Sequence, residues 1–187
     1  MLAAGLQIMN EYQKFREQID EFMQHHPQSP LDEAHRLYFR GLFYYEPSPA
    51  YLVMATVTRF SAREPLVEME TSTGDRRRYR RWGRAHFTID GEAAALTIYA
   101  NPYEEDFFLP FRDATSGKET YGAGRYLDSH RPGLRQLGEG EIEIDFNWCY
   151  NPYCAYNEGY SCPLPPRENW LAIPIRAGEK VFHSSSR

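Results

Sequence analysis

Arg84-Ala85-His86-Phe87-Thr88-Ile89-Asp90-Gly91-Glu92-Ala93-Ala94-Ala95-Leu96-Thr97-Ile98-Tyr99 is the stretch whose reading decides the fold. Apolar and polar residues alternate on both sides of Asp90-Gly91, and Asp-Gly between such runs signals a hairpin closed by a two-residue turn. With those two residues as the loop, Ile89 faces Glu92, Phe87 faces Ala94 and Ala85 faces Leu96. Ala85, Phe87, Ile89, Ala94, Leu96 and Ile98 then share one face, and Arg84, His86, Thr88, Thr97 and Tyr99 the other. That is the pattern of a sheet with one buried side.

Outward from the hairpin, Tyr51–Phe60 and Leu66–Thr71 read as upstream strands. Glu141–Trp148 reads as a downstream strand, with Ile142, Ile144, Phe146 and Trp148 on one side and Glu141, Glu143, Asp145 and Asn147 on the other. Leu171–Arg176 reads as a last strand, placed at an edge or bulge by Pro174. Asn101–Pro132 and Cys149–Asn169 read as long ordered segments that cover one end of the sheet. At the other terminus Ile8, Tyr12, Phe15, Ile19 and Phe22 recur at spacings of four and three, which predicts an amphipathic helix of about five turns ending before Pro27. Ser29-Pro30 offers an N-cap and a first-turn proline for a short second helix that closes near Gly41. The expected class is α+β, with N-terminal helices packed on a mainly antiparallel, strongly curved β-sheet or partly closed β-barrel. A single domain is expected over 1–187, made of a helical part (1–41), a β-rich core (42–180) and a Ser-rich tail (181–187).

Charge and composition narrow the function classes. The 21 Lys+Arg against 26 Asp+Glu give a net charge of -5, which argues against general nucleic-acid binding. No stretch approaches the roughly 20 apolar residues of a membrane span, and no basic region precedes an apolar core at the N-terminus, so a cytoplasmic protein without membrane partners is expected. Arg76–Arg84 holds six arginines with Tyr79 and Trp82, a composition able to grip phosphates and stack bases. The favoured reading is a charge-paired exposed hairpin. Ser72 would pair with Arg76 across a three-residue turn, Glu70 would lie opposite Arg78, Glu68 opposite Arg80 and Met69 against Tyr79.

The densest chemistry lies in three blocks: Leu109–Gly117 (LPFRDATSG), Tyr121–Leu127 (YGAGRYL), and Asp145-Phe146-Asn147 running into Tyr150–Tyr156 (YNPYCAY). Candidate ligand-binding residues are Asp113, Thr115, Ser116, Tyr121, Arg125, Tyr126, Asp145, Asn147 and Asn151. Arg125 can hold a carboxylate or phosphate by two parallel hydrogen bonds, the Asp and Asn side chains can fix hydroxyls or amides, and Tyr121, Tyr126, Tyr150 and Tyr156 can wall a pocket. A small polar or anionic ligand would suit such a site. The competing reading is structural, with Asp113, Thr115 and Asn151 tying turns and Arg125 pairing with Asp145 to pin loops onto the sheet.

These blocks, with Phe39–Leu42, Cys162–Pro166, Glu168-Asn169 and Arg176–Lys180, resemble the prokaryotic domain-of-unknown-function family numbered 1684, from about Ser29 to Lys180. The resemblance implies a shared architecture and a shared site and supplies no reaction. Cys149 departs from the small residue of the family pattern.

Recognised catalytic patterns fail. A phosphate loop ending at Gly117-Lys118 would need Gly at position 112, which is Arg, and Ser or Thr at 119, which is Glu. Gly122-Ala123-Gly124 leads into Arg-Tyr-Leu and not into a helix, and Ser116 lacks the G-x-S-x-G setting. No cofactor is therefore expected. A carboxylate-based hydrolase, pairing Asp113 with Asp145 or Glu179, stays open as an alternative, as does a structural or protein-interaction module using the N-terminal helix; homo-oligomerisation is also left open. Cys149, Cys154 and Cys162 lack the close paired spacing of zinc sites, so no metal is expected and a three-cysteine site is the alternative. The favoured reading sets Cys154 and Cys162 close together across a Pro-rich loop, with Cys149 buried apart from them.

Overall fold

The Asp90-Gly91 turn forms as the sequence demands, with φ of 51° and 80°, in a computed structural model of the protein that describes residues 2–103 and 106–183, with side chains from residue 9. It joins β3 (Arg76–Ile89) to β4 (Glu92–Ala100), and the register is the expected one: Ile89↔Glu92, Phe87↔Ala94 and Ala85↔Leu96. Ala85, Phe87, Ile89, Leu96 and Ile98 are buried, as the period-two pattern requires. The opposite face is covered as well at its far end, where Thr97 and Tyr99 are buried.

The remaining strands are β1 (Leu52–Arg59), β2 (Val67–Glu70), β5 (Phe107–Phe111), β6 (Arg125–Asp128), β7 (Leu134–Gln136) and β8 (Glu141–Asp145). All pairings are antiparallel, in the order β6-β5-β4-β3-β1-β8-β7, with β2 paired to the first half of β3. The sheet is nearly closed and barrel-like. Mutual backbone bonds between Tyr126 of β6 and Tyr150 (2.9 and 3.1 Å) tie the β6 edge to the segment after β8, and a bond from the Asp145 amide to the Gly133 carbonyl (2.8 Å) extends the β8–β7 pairing. The core holds the inward residues of β1, β3, β4, β5, β6 and β8, with Phe146, Cys149, Ile175 and Ala177 added from the later segments.

Two helices precede the sheet: α1 (Leu2–His25) and α2 (Glu33–Tyr38). Tyr12 and Met23 of the α1 stripe are buried and Phe15, Ile19 and Phe22 half-buried, all against the chain's own body; the Ile8 side chain lies outside the description, as do tail residues 184–187. Tyr12 and Phe15 pack on Trp148, with ring centroids 4.6 and 5.1 Å apart. Met23 joins Leu31 and Phe39 in a second small core. The six-residue α2 buries no side chain, so the expected helical layer reduces to one helix on a mostly β molecule.

Four expectations are corrected. The α2 N-cap is Asp32, which accepts from the His35 amide, while Ser29 bonds Met23 and Leu31. The β2–β3 register differs by two, with Glu68↔Arg78, Glu70↔Arg76 and Met69↔Arg77. A three-residue hairpin loop takes its left-handed residue last, so Gly74 (φ 88°) closes a loop of residues 72–74 and Thr71 pairs with Asp75. The strand read over Glu141–Trp148 stops at Asp145, whose carboxylate caps a 3₁₀ turn at Phe146–Trp148. Leu171–Arg176 forms no strand, although it runs along 112–114 through the bonds Leu171 N to Arg112 O (2.8 Å) and Ala114 N to Ile173 O (3.2 Å). Pro174 has no amide to extend that ladder.

The segment read as an ordered loop over Asn101–Pro132 in fact supplies β5 and β6. The expected cover comes from residues 149–169. Buried Asn169 exchanges bonds with the amide and carbonyl of Thr97 (2.7 and 2.8 Å) and donates to the Pro110 carbonyl (2.8 Å), filling the place where β4 and β5 do not pair. Among the described residues no helix is long and apolar enough to cross a membrane.

Candidate functional site

Arg125 opens β6 opposite Phe111, and its side chain is fully buried. Four of its five N–H groups are committed to protein oxygens. Nη1 donates to the Ala177 carbonyl and to the Glu179 carbonyl (3.1 Å); Nη2 donates to Asp113 Oδ2 (2.8 Å) and to the Ile175 carbonyl (2.7 Å). Asp113 Oδ1 accepts from the Thr115 amide (2.7 Å) and hydroxyl, and Ser116 Oγ accepts from the Asp113 amide (3.1 Å). Arg125 thus pairs with Asp113 and not with Asp145, and its donors fasten residues 175–179 across the barrel interior.

The other candidate residues fall into separate groups. Asp145 accepts from the Asn147 amide (3.0 Å) and side chain (2.7 Å) and from the Tyr12 hydroxyl of α1, while Asn147 exchanges bonds with the backbone of Ser48 (both 2.9 Å). Asn151 donates to Glu179 through its amide (3.0 Å) and its side chain (2.9 Å), and the Tyr156 hydroxyl donates to the same carboxylate. Burial pushes the Glu179 carboxyl up to about 7 against the opposing effect of those donors. Tyr121 turns to Cys154.

Cys149 sits against the Ala177 carbonyl (3.4 Å), and burial pushes its thiol up to about 12, whereas Cys154 and Cys162 lie together elsewhere. The three cysteines do not converge. Among the described residues no group of three His, Cys, Asp or Glu side chains is arranged to hold a metal ion.

Of the nine candidates, Tyr126 alone borders a cleft of about 400 Å³ with a polar and aromatic lining that opens beside β6. Its walls include Arg77, Asp128, Arg131, Tyr150, Tyr153 and Tyr160, and Cys162 also borders it. The Tyr150 hydroxyl donates to Asp128, and burial, reinforced by that carboxylate, pushes the phenol well above its ordinary value, so it stays a neutral donor. Arg131 lies over the Tyr150 ring at 3.7 Å. Among the described residues it makes no hydrogen bond or ion pair. Arg77 donates to the Ser161 carbonyl (2.7 Å), on the face of β3 opposite the Glu68, Arg76 and Arg78 pairs. Asp113, Asp145 and Glu179 do not border this cleft.

The model of the family described as "Protein of unknown function (DUF1684)" matches residues 38–180. The chain belongs to this family. The match starts at residue 38, later than the motif resemblance from about Ser29, and so leaves out α1. Among solved structures, the chain is similar to the solution NMR structure of an uncharacterized protein of Haloarcula marismortui, at 38% identity over 96% of this chain and 97% of that one, with a TM-score of 0.70. That agreement extends over α1 as well as the region the DUF1684 model covers. No curated protein matches the chain.

Two outcomes are expected. Arg125→Ala leaves Asp113 as an uncompensated buried charge and frees three carbonyls, so urea unfolding should show a loss of about 3–5 kcal/mol. For Glu179, a carboxyl raised from 4.5 to about 7 holds a proton in the native state that the unfolded state has released. Its contribution to stability is therefore greatest below about pH 4.5 and is lost as the pH rises to about 7. The difference in unfolding free energy between the wild type and Glu179→Gln should shift against the wild type by about 3 kcal/mol across that window.

Proposed function

We propose that this DUF1684 protein is a cytoplasmic binding protein for a small anionic ligand with a planar or aromatic part, held in the Arg/Tyr/Asp-lined cleft beside β6. The observation that carries the reading is Arg131. Its guanidinium carbon sits 3.7 Å from the Tyr150 ring centroid and the group has no acceptor among the described residues, so its forked donors stay available for a phosphate or carboxylate. A cation over an aromatic face is already favourable, and the stacking holds the fork in one orientation before a ligand arrives.

Arg77 adds a second positive group from the opposite wall, and Tyr153 and Tyr160, in edge contact at 5.2 Å, supply apolar surface for the ligand's body. Asp128 is occupied by the Tyr150 hydroxyl, which reduces its opposition to an anion. The three free thiols support a reducing compartment.

Isothermal titration with phenyl phosphate, inorganic phosphate and phenol tests the proposal. Phenyl phosphate should bind saturably and more tightly than either part, and Arg131→Ala should weaken it about tenfold or more, the scale of a lost charge-assisted hydrogen bond. Absence of saturable binding, or equal affinity in Arg131→Ala, would sink it.

A further inference from the structure

We infer that Cys154 and Cys162 form a redox-active dithiol that reduces a small hydroperoxide and closes a disulfide between the two residues. The pair is built by two segments. Cys154 lies in a 3₁₀ turn, Tyr153–Ala155, and its amide donates to Cys162 Sγ at 3.3 Å. Cys162 is held from the other side by the β2–β3 loop: its amide donates to Ser72 Oγ (3.0 Å), its carbonyl accepts from the Ser72 amide (2.9 Å), and Leu164 donates to the Glu70 carbonyl (2.7 Å).

The donors around the pair are unequal. Cys154 Sγ faces the Tyr121 hydroxyl at 3.6 Å, while the Ser72 hydroxyl donates to the Tyr160 carbonyl (2.8 Å). The neighbouring Cys162 side chain, with the Tyr121 hydroxyl, lowers the Cys154 thiol against the opposing effect of burial, so Cys154 is the member of the pair that ionises first. The same neighbour effect and burial raise the Cys162 thiol. Cys149, fully buried against the Ala177 carbonyl, has no thiol neighbour and is held protonated by burial.

Access limits the oxidant. Cys154 and Cys162 are 6% and 7% exposed, too little for in-line attack on a bulky disulfide; Cys162 borders the cleft and Cys154 adjoins Cys162 without lining it, so the oxidant must be little larger than water. The Cys154 thiolate attacks one oxygen of hydrogen peroxide; the S–O bond forms, the O–O bond breaks, and the departing hydroxide takes up a proton to become water. Cys154 is oxidised by two electrons to the sulfenic acid. The Cys162 sulfur then attacks that sulfur; the S–S bond forms, the S–O bond breaks, and the hydroxide leaves with the Cys162 proton as a second water. Two thiols and one peroxide give one disulfide and two waters.

The test treats the folded full-length protein with hydrogen peroxide, blocks the remaining thiols with a maleimide under denaturing conditions, and reads intact mass and peptide map. The wild type should lose the mass of two hydrogens, take up one maleimide, at Cys149, and yield a Cys154–Cys162 crosslinked peptide. Cys162→Ser should instead trap a dimedone-reactive sulfenic acid at Cys154, and Tyr121→Phe should give the wild-type product several-fold more slowly. Three alkylated thiols after peroxide, oxidation confined to Cys149, or a rate no faster than in the unfolded chain would overturn the inference. The wild-type peptide map decides it even if a cysteine variant fails to fold.

Discussion

The Arg125 guanidinium, taken entirely out of water, must find oxygen acceptors inside the protein, and the arrangement of the later chain follows from how it does so. Carbonyls of Ile175, Ala177 and Glu179 converge on it from a segment that Pro174 keeps out of the sheet, and Asp113 supplies the opposite charge. Fixing those carbonyls brings the Glu179 amide onto the Cys149 carbonyl (2.9 Å) and the Glu179 side chain onto Asn151. The same segment carries Ile175 and Ala177 into the barrel core. One buried charge thus joins β5, β6, the turn at 113–116 and the C-terminal segment.

Holding residues 145–151 and 175–179 in place also shapes the cleft. Tyr150 is paired to Tyr126 through the backbone, so its ring stands at a fixed position for Arg131 to cover. Tyr153 and Cys154 follow in the next turn, and the β2–β3 loop fastens the segment that brings Tyr160, Ser161 and Cys162 to the opposite wall. The cleft's arginines and Cys162 therefore adjoin for a structural reason: they meet where the 149–164 segment crosses between β6 and the β2–β3 hairpin.

Much of the fold was legible because short-range chemistry fixed it. Asp90-Gly91 set the hairpin register to the residue, and the period of α1 identified the face that packs on Trp148. The β2–β3 register required recognising that Gly74 must end its loop. With that made, Arg77 pairs with Met69 and stands apart from the Glu–Arg ladder, which would have marked it as the arginine available to a cleft. β5 and β6 are hard to read because Pro110 and the glycines after Ser116 mask two short strands, each only four or five residues long. The candidate residues divide in one particular way. Arg125 and Arg131 both lie in turn-rich sequence, and only the order of strands around the barrel puts the first inside and the second beside the cleft. Sequence groups such residues by proximity along the chain, whereas Asp145 stands apart from the network that joins Asp113 and Asn151 through Arg125 and Glu179.

The account rests on that division of labour between two arginines six positions apart. The most direct test follows the arginine Nε–H resonances by NMR while phenyl phosphate is added to the wild-type protein. Arg131 should shift saturably while the enclosed Arg125 resonance stays fixed. Movement of the Arg125 resonance with Arg131 unperturbed would contradict the account and return the ligand to the barrel interior.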